Sequence, residues 1–413
     1  MLLPHQVETE IRDPLFQFSL PYLDSIYAFY WVSSVFWLEL LLFIILEAGF
    51  AIVCGWVIYT YIIEPKRAGT TFAYLIGYGS IVPFWILGSE YFIYILDVRN
   101  IFMRFCVGCI VPTKCLFNVS EAINGFSPSH ATESLPNYLL HYACIMLPSR
   151  NKSGSLIRLS LKAVINIGTK FLVYLFILGA QQSFMSQYKY FAVFKDPINV
   201  DDEWFSIKRF LHWQLYANSF MQAVLFQLYL STFGEALRLV CSIALGCEMQ
   251  EMMANPLFTS RSPSDFWGRR WNLLVHSLLK GGIFKPVRKY FSSTVATVAA
   301  FLASGALHEW ILYILFMILP TQLDENGECA SCYKPTYGGS MVFFLWQAAL
   351  IAIELMVGKY YIFQLLGQNL PIPIRATLVV CLGLPFAHFF LESYVKSDFF
   401  RHGQQALPMF LPL

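Results

Sequence analysis

The sequence predicts an all-α polytopic membrane protein: a single helical bundle of roughly seven to nine membrane-spanning helices, with re-entrant or interfacial helices between them. Three observations carry this. Only 13% of the 413 residues are charged while 57% are hydrophobic, against about 25% charged in an ordinary soluble domain. The mean hydropathy is +0.55. Apolar runs of about 20 residues, the length needed to cross the hydrocarbon of a bilayer, recur along the chain. Too few charges remain to cover a water-facing surface, which excludes soluble globular, disordered, coiled-coil and collagen-like classes. Residues 1–413 are expected to form one membrane-embedded domain, since spans packed in a bilayer need no separate soluble cores.

The N-terminal segment MLLPHQVETEIRDP carries acidic residues and no basic region leading into an apolar core, so it does not read as a cleavable signal peptide. Val35 to Ile63 is the first span, broken only by Glu39 and Glu47. It stops at Glu64-Pro65-Lys66-Arg67, where the proline disfavours helix before it and the basic pair marks the cytosolic side. A second span covers Thr71 to Leu87. Between Asp97 and Lys162 the apolar pieces Phe105 to Phe117 and Tyr138 to Leu147 are short and contain Pro112, Lys114 and Pro148. They read as re-entrant, interfacial or buried rather than simply spanning. Ala163 to Phe184 is a clear span despite Lys170, and an acidic stretch with Asp196, Asp201, Asp202 and Glu203 follows.

Phe210 to Cys247 is long enough for one tilted span plus an amphipathic helix or for two short spans, and Glu235 with Arg238 favours the first. Between Arg261 and Lys289 seven basic residues face only Asp265, a balance of 7 − 1 = +6 that places this stretch in the cytosol. Ser293 to Leu319 then crosses to a loop with Asp324, Glu325 and Glu328, and Met341 to Val357 and Ala376 to Leu391 are the last two spans. The net charge of +2 points to no nucleic-acid partner. Of two glycosylation sequons, at Asn118 and Asn151, the second lies in a basic stretch and is expected to be unused. No internal repeat is evident.

Most of the ten cysteines, among them Cys54, Cys106, Cys241 and Cys381, sit in apolar runs as small hydrophobes. Cys329 and Cys332 form a C-x-x-C in a hydrophilic loop, which fits a disulfide or half a zinc site; no second such pair follows, so no metal is expected.

His308 lies near the middle of a span, in Ser304-Gly305-Ala306-Leu307-His308-Glu309, where an ionisable side chain is costly unless it faces a cavity or a partner. Ser304 and Gly305 are small enough to admit a neighbouring helix or a substrate. Glu309 lies about 100° round the helix and reads as a second polar lining residue or an interhelical partner. The segment Asn255 to Asn272 mixes aromatics, arginines and helix breakers; on pattern alone it is a membrane-surface helix anchored by its rings, with Ser264 as a helix cap. Glu39, Glu47, Glu354 and His388 read as interhelical partners, and His276 shares a helix face with Asn272.

Asn255-Pro256-Leu257-Phe258, then Ser262-Pro263-Ser264-Asp265-Phe266-Trp267-Gly268-Arg269-Arg270-Trp271-Asn272, then the span with His308-Glu309, resemble the wax synthase branch of the membrane-bound O-acyltransferases, closely over about 254–312 and in hydropathy elsewhere. The resemblance implies transfer of a fatty acyl group from acyl-CoA to a long-chain alcohol inside a helical bundle. It implies His308 as catalytic base and Asn272 as its partner. Asn255, Trp267, Trp271 and Glu309 join them as substrate-binding residues, and the charge of Arg269 and Arg270, with the basic stretch Arg261 to Lys289 around them, suits the phosphates of the coenzyme; for Lys280 to Lys289 attraction to anionic headgroups is the competing reading.

The residue types fit this chemistry independently. A thioester is already activated, so attack by an alcohol needs a base, donors for the oxyanion and exclusion of water. No G-x-S-x-G, H-E-x-x-H or G-x-x-x-x-G-K motif competes. The expected partners are acyl-CoA, a lipid alcohol and the bilayer; no cofactor beyond the acyl donor is called for, and a homo-oligomer stays open. The expected location is the endoplasmic reticulum membrane, with multiple passes. Two alternatives remain: the same reaction on a sterol, a diacylglycerol or a secondary-metabolite alcohol, and a non-enzymatic transporter or scaffold, against which the lack of repeats speaks.

Overall fold

Ser33 opens the first span, its hydroxyl accepting from the Phe36 amide at 3.2 Å, as a helix N-cap should. In the computed structural model, which describes residues 12–19, 26–195, 210–330, 332–358, 360 and 369–412, this pattern repeats at Thr70, Asn100, Ser160 and Ser292. The reading of the N-terminal dozen residues as an uncleaved segment and the acidic stretch Asp196 to Glu203 lie largely outside the described residues.

A small antiparallel sheet, β1 (Phe16–Ser19), β2 (Ile26–Tyr30) and β3 (Met409–Pro412), joins the two ends of the chain. Among the described residues eight helices are long and apolar enough to cross a membrane. In chain order, with the shorter helices that matter for the site, these are α1 (Ser34–Ile63), α2 (Thr71–Ile95), α3 (Ile101–Ile123), the short α4 (Leu135–Ala143), α5 (Leu161–Met185) and α6 (Trp213–Leu245). The short α7 (Pro263–Arg269) and α8 (Leu273–Leu279) follow, then the spans α9 (Ser293–Phe316), α10 (Gly339–Val357) and α11 (Ile372–Lys396). The protein is an all-α polytopic membrane protein.

One stretch takes the buried alternative that the sequence left open, and another departs from the sequence reading. Residues 101–123 form one 23-residue helix, buried on nearly every side, with Pro112 inside it. Pro112 and Lys114 are tolerated because protein, not lipid, surrounds them: the Lys114 ammonium donates to the His141 carbonyl at 2.7 Å. Residues 213–245 form a single 33-residue helix rather than a span with a separate amphipathic piece. Glu235 and Arg238 do not break it, because Arg238 pairs with Glu235 at 3.3 Å and donates to the Met249 carbonyl at 2.8 Å. Asn118 is 2% exposed inside α3, so that sequon is no acceptor. Cys329 and Cys332 form a disulfide.

After α6 the chain turns back along it. Residues 247 and 249 make bridges to 158 and 148, Lys170 of α5 pairs with Glu251 at 2.9 Å, and the Leu257 amide reaches Gln227 at 3.1 Å. Gln227 lies 18 residues up α6 from its end, about 27 Å along the axis. The segment Asn255 to Asn272 is therefore re-entrant, packed back along α6 with Pro256, Leu257 and Ser260 buried and Phe258, Arg261, Ser264 and Arg269 exposed.

Two devices fix α9, which carries His308. At its end the buried Arg104 guanidinium of α3 donates to the carbonyls of Leu315 and Met317 at 2.9 and 2.7 Å, supplying the partners that helix termini lack. In its middle Gly305 meets α10: a Cβ added there would stand 2.6 Å from Met341 Sδ, so only glycine allows this approach.

Candidate active site

The His308 ring is fixed from one side by its own helix. Its Nδ1 lies 2.7 Å from the Ser304 carbonyl oxygen, an acceptor only, so Nδ1 carries the proton and Nε2 keeps the lone pair. Phe344 of α10 and Phe390 of α11 hold the ring between them, at 4.8 and 5.0 Å between centroids. What His308 leaves open faces a cavity of about 550 Å³ between α3, α6, α9, α10, α11 and the re-entrant segment. The cavity is apolar and largely aromatic, with Phe226, Phe266, Trp267, Trp271, Phe301 and Phe343 on its walls.

Asn272 lines the same cavity. It adopts a left-handed conformation, φ 39°, a region asparagine tolerates better than most residues. Its Oδ1 caps α8 by accepting from the Val275 amide at 3.2 Å, and its own amide donates to Met253 Sδ at 3.1 Å. Among the described residues Nδ2 has no hydrogen-bond partner, so a donor remains for a ligand in the cavity. Trp267 and Trp271 also line it, and the Trp267 indole donates to Gln347 Oε1 of α10 at 3.2 Å.

Four residues expected at the site stand elsewhere. Arg270 is spent on structure: it donates to Asp265 and Thr259, each at 2.6 Å, and its carbonyl accepts from the Ala254 amide at 2.9 Å. Burial opposes the Asp265 carboxylate, but Arg270 and the Arg261 amide outweigh it and hold its pKa below the usual carboxylate value. Arg269 is exposed and off the cavity wall. Asn255 is left-handed, φ 49°, and its Oδ1 accepts from Gln227 Nε2 at 3.3 Å, pinning the re-entrant segment to α6. Glu309 turns away from the cavity and accepts from the amides of Gly338 and Ser340, each at 2.9 Å.

Sequence reasoning missed the second cavity. It measures about 400 Å³ and is walled by Glu121, His141, Arg150, Gln250, Lys280 and Lys285, among others. Lys280 lines both cavities, so the polar one lies beside the apolar one. His276 stands near this junction; burial, with the Lys280 charge nearby, lowers its pKa. Gln347 was missed as well, although an amide in the apolar run 341–357 calls for a partner. Glu354 matches its expected interhelical role, accepting from the Ser264 amide and hydroxyl at 2.7 Å each.

These features define a multi-pass membrane protein with a buried apolar chamber, a fixed imidazole and a basic antechamber. Residues 250–325 match the membrane bound O-acyl transferase family. Among similar curated proteins of Arabidopsis thaliana, one named probable long-chain-alcohol O-fatty-acyltransferase 9 is 33% identical over 126 residues, covering 27% of this chain and 37% of that protein. Another, numbered 6, is 28% identical over 182 residues, 40% of this chain and 47% of its own length. A third, numbered 3, is 38% identical over 87 residues, 19% and 25%. The chain thus spans a quarter to about half the length of these relatives. The resemblance to the wax synthase branch of the membrane-bound O-acyltransferases stands, and its strongest stretch includes the re-entrant segment and the His308 helix.

Proposed function

We propose that the protein transfers a fatty acyl group from acyl-CoA to a long-chain alcohol, giving a wax ester and free coenzyme A, in the endoplasmic reticulum membrane. The observation that carries this reading is the His308 imidazole, held with Nδ1 on the Ser304 carbonyl and Nε2 toward an apolar chamber that shares Lys280 with a polar one. The polar chamber suits the phosphates of the coenzyme through Arg150, Lys280 and Lys285, and the apolar one suits the acyl chain and the alcohol. The phosphate role thereby leaves Arg269 and Arg270, stays with Lys280 and Lys285 of the same basic stretch and gains Arg150.

In this mechanism His308 Nε2 takes the hydroxyl proton as the alcohol oxygen attacks the thioester carbonyl carbon. Asn272 Nδ2 donates to the oxyanion that develops there. Collapse breaks the carbon–sulfur bond, and the imidazolium returns its proton to the departing thiolate. No covalent enzyme intermediate is needed. The aromatic walls exclude water, which would otherwise hydrolyse the thioester.

The test is to supply labelled palmitoyl-CoA with hexadecanol, a sterol or diacylglycerol to membranes carrying the protein, from cells without other neutral-lipid acyltransferases. A wax ester supports the reading, and a sterol ester or triacylglycerol changes the acceptor. No ester with any acceptor, from well-expressed protein, overturns it in favour of a transporter or scaffold.

A further inference from the structure

Beyond the two cavities, the bundle holds a close pair of free thiols. Cys144 is the residue that caps α4, and Cys241 lies one turn before the end of α6. The two thiols are hydrogen-bonded to each other, and both pack against a sulfur-rich cluster of Met146, Cys247, Met249 and Met252. Lys114, whose Nζ donates to the His141 carbonyl three residues before Cys144, lies close enough to favour the Cys144 thiolate. Cys241 stands on a long regular helix, whereas Cys144 begins the irregular stretch that runs to the bridge at Pro148. One sulfur thus stands on a helix and the other on non-helical chain.

The Cys241 thiol beside it, aided by Lys114 and opposed by burial, lowers the pKa of the Cys144 thiol, which favours the thiolate. A thiolate with a second thiol in contact is the arrangement of a resolving pair.

We propose that Cys144 and Cys241 form a reversible disulfide when the protein meets a hydroperoxide. The Cys144 thiolate attacks one oxygen of the hydroperoxide; the O–O bond breaks, Cys144 becomes a sulfenic acid and the alkoxide leaves as the alcohol with a proton. The Cys241 sulfur then attacks the sulfenic sulfur; the S–O bond breaks and water leaves with the Cys241 proton. Two thiols are oxidised by two electrons, and one hydroperoxide is reduced to an alcohol and water. The new bond ties the segment 144–148, whose Leu147 and Pro148 wall the polar cavity, to α6, whose Leu237 lines the apolar one.

The experiment uses the full chain in lipid nanodiscs, treated with tert-butyl hydroperoxide or with dithiothreitol, then blocked with N-ethylmaleimide, digested and read by mass spectrometry. The expected result is loss of maleimide labelling at both cysteines and a Cys144–Cys241 linked peptide that dithiothreitol removes. In Cys241→Ser, dimedone should trap a sulfenic acid at Cys144; in Cys144→Ser, Cys241 should stay alkylatable. Full labelling of both thiols after peroxide, or a link from Cys144 to Cys247 instead, overturns the proposal. These readouts need no acyltransferase activity.

Discussion

The Ser340 amide donates to Glu309 Oε1 at 2.9 Å, and the Gly338 amide donates to Oε2 at the same distance. The residue next to His308 therefore caps α10, and α10 in turn brings Phe344 onto the imidazole and Gln347 onto Trp267. Hydrogen bonds to a charged group contribute about 1.5–3 kcal/mol each, so Glu309→Ala should lower the thermal midpoint clearly and Glu309→Gln less. Activity should fall in step with folded protein while the KM for the alcohol holds. A stable Glu309→Ala protein with a raised alcohol KM would instead place the carboxylate in the substrate site.

Arg270 and Lys280 should separate under kinetics. Arg270→Ala removes the bonds to Asp265 and Thr259 and leaves that carboxylate unpaired, so it should destabilise the re-entrant segment by about 1–3 kcal/mol. Lys280→Ala should leave the melting curve in place and raise the KM for acyl-CoA about tenfold, the effect of losing about 1.4 kcal/mol of phosphate binding. Equal effects of the two variants on KM would contradict this division.

Asn272 serves twice, and two substitutions divide its roles. Asn272→Asp keeps an oxygen to cap α8 but loses the Nδ2 donor, so the melting midpoint should hold while kcat falls about a hundredfold. Asn272→Ala should lose both. If Asn272→Asp turned over normally, the donor role would be wrong.

Stability should depend on pH through His402. Its Nδ1 accepts from the Ile101 amide at 3.3 Å, a bond that a protonated ring cannot make, and burial together with the Arg104 charge lowers its pKa from 6.5 to about 4. The unfolded chain takes the proton first as pH falls. Stability from this group is therefore complete above about 6.5, declines down to about 4 and is level below, a total on the order of 3 kcal/mol. Thermal midpoints of His402→Asn should fall less steeply across that window than those of the wild type; parallel curves would exclude the assignment.

The spans were legible because hydrocarbon demands long apolar runs. Residues 101–123 were harder, since a helix wrapped in protein can hold Pro112, Lys114 and Arg104, which a lipid-facing span cannot. His308 could be named from residue type alone, because an ionisable side chain in mid-span is unusual, whereas Asn272, Trp267 and Trp271 were reached only through the resemblance of the 255–272 motif. The direction of a side chain was not legible. Arg270 and Glu309 carry the charge a substrate site would use, yet each spends it on backbone or a neighbouring side chain. The polar cavity escaped because Glu121, Arg150 and Lys280 are far apart in sequence and meet only through the path of α3 and the re-entrant segment.

The most direct test of the account is esterification of hexadecanol by labelled palmitoyl-CoA, catalysed by purified wild type and His308→Ala protein matched for folded content. Loss of a general base costs about a hundredfold to ten-thousandfold in rate, so the variant should form wax ester at no more than about a hundredth of the wild-type rate with its melting curve unchanged. A folded His308→Ala protein that makes ester at the wild-type rate would contradict the central claim.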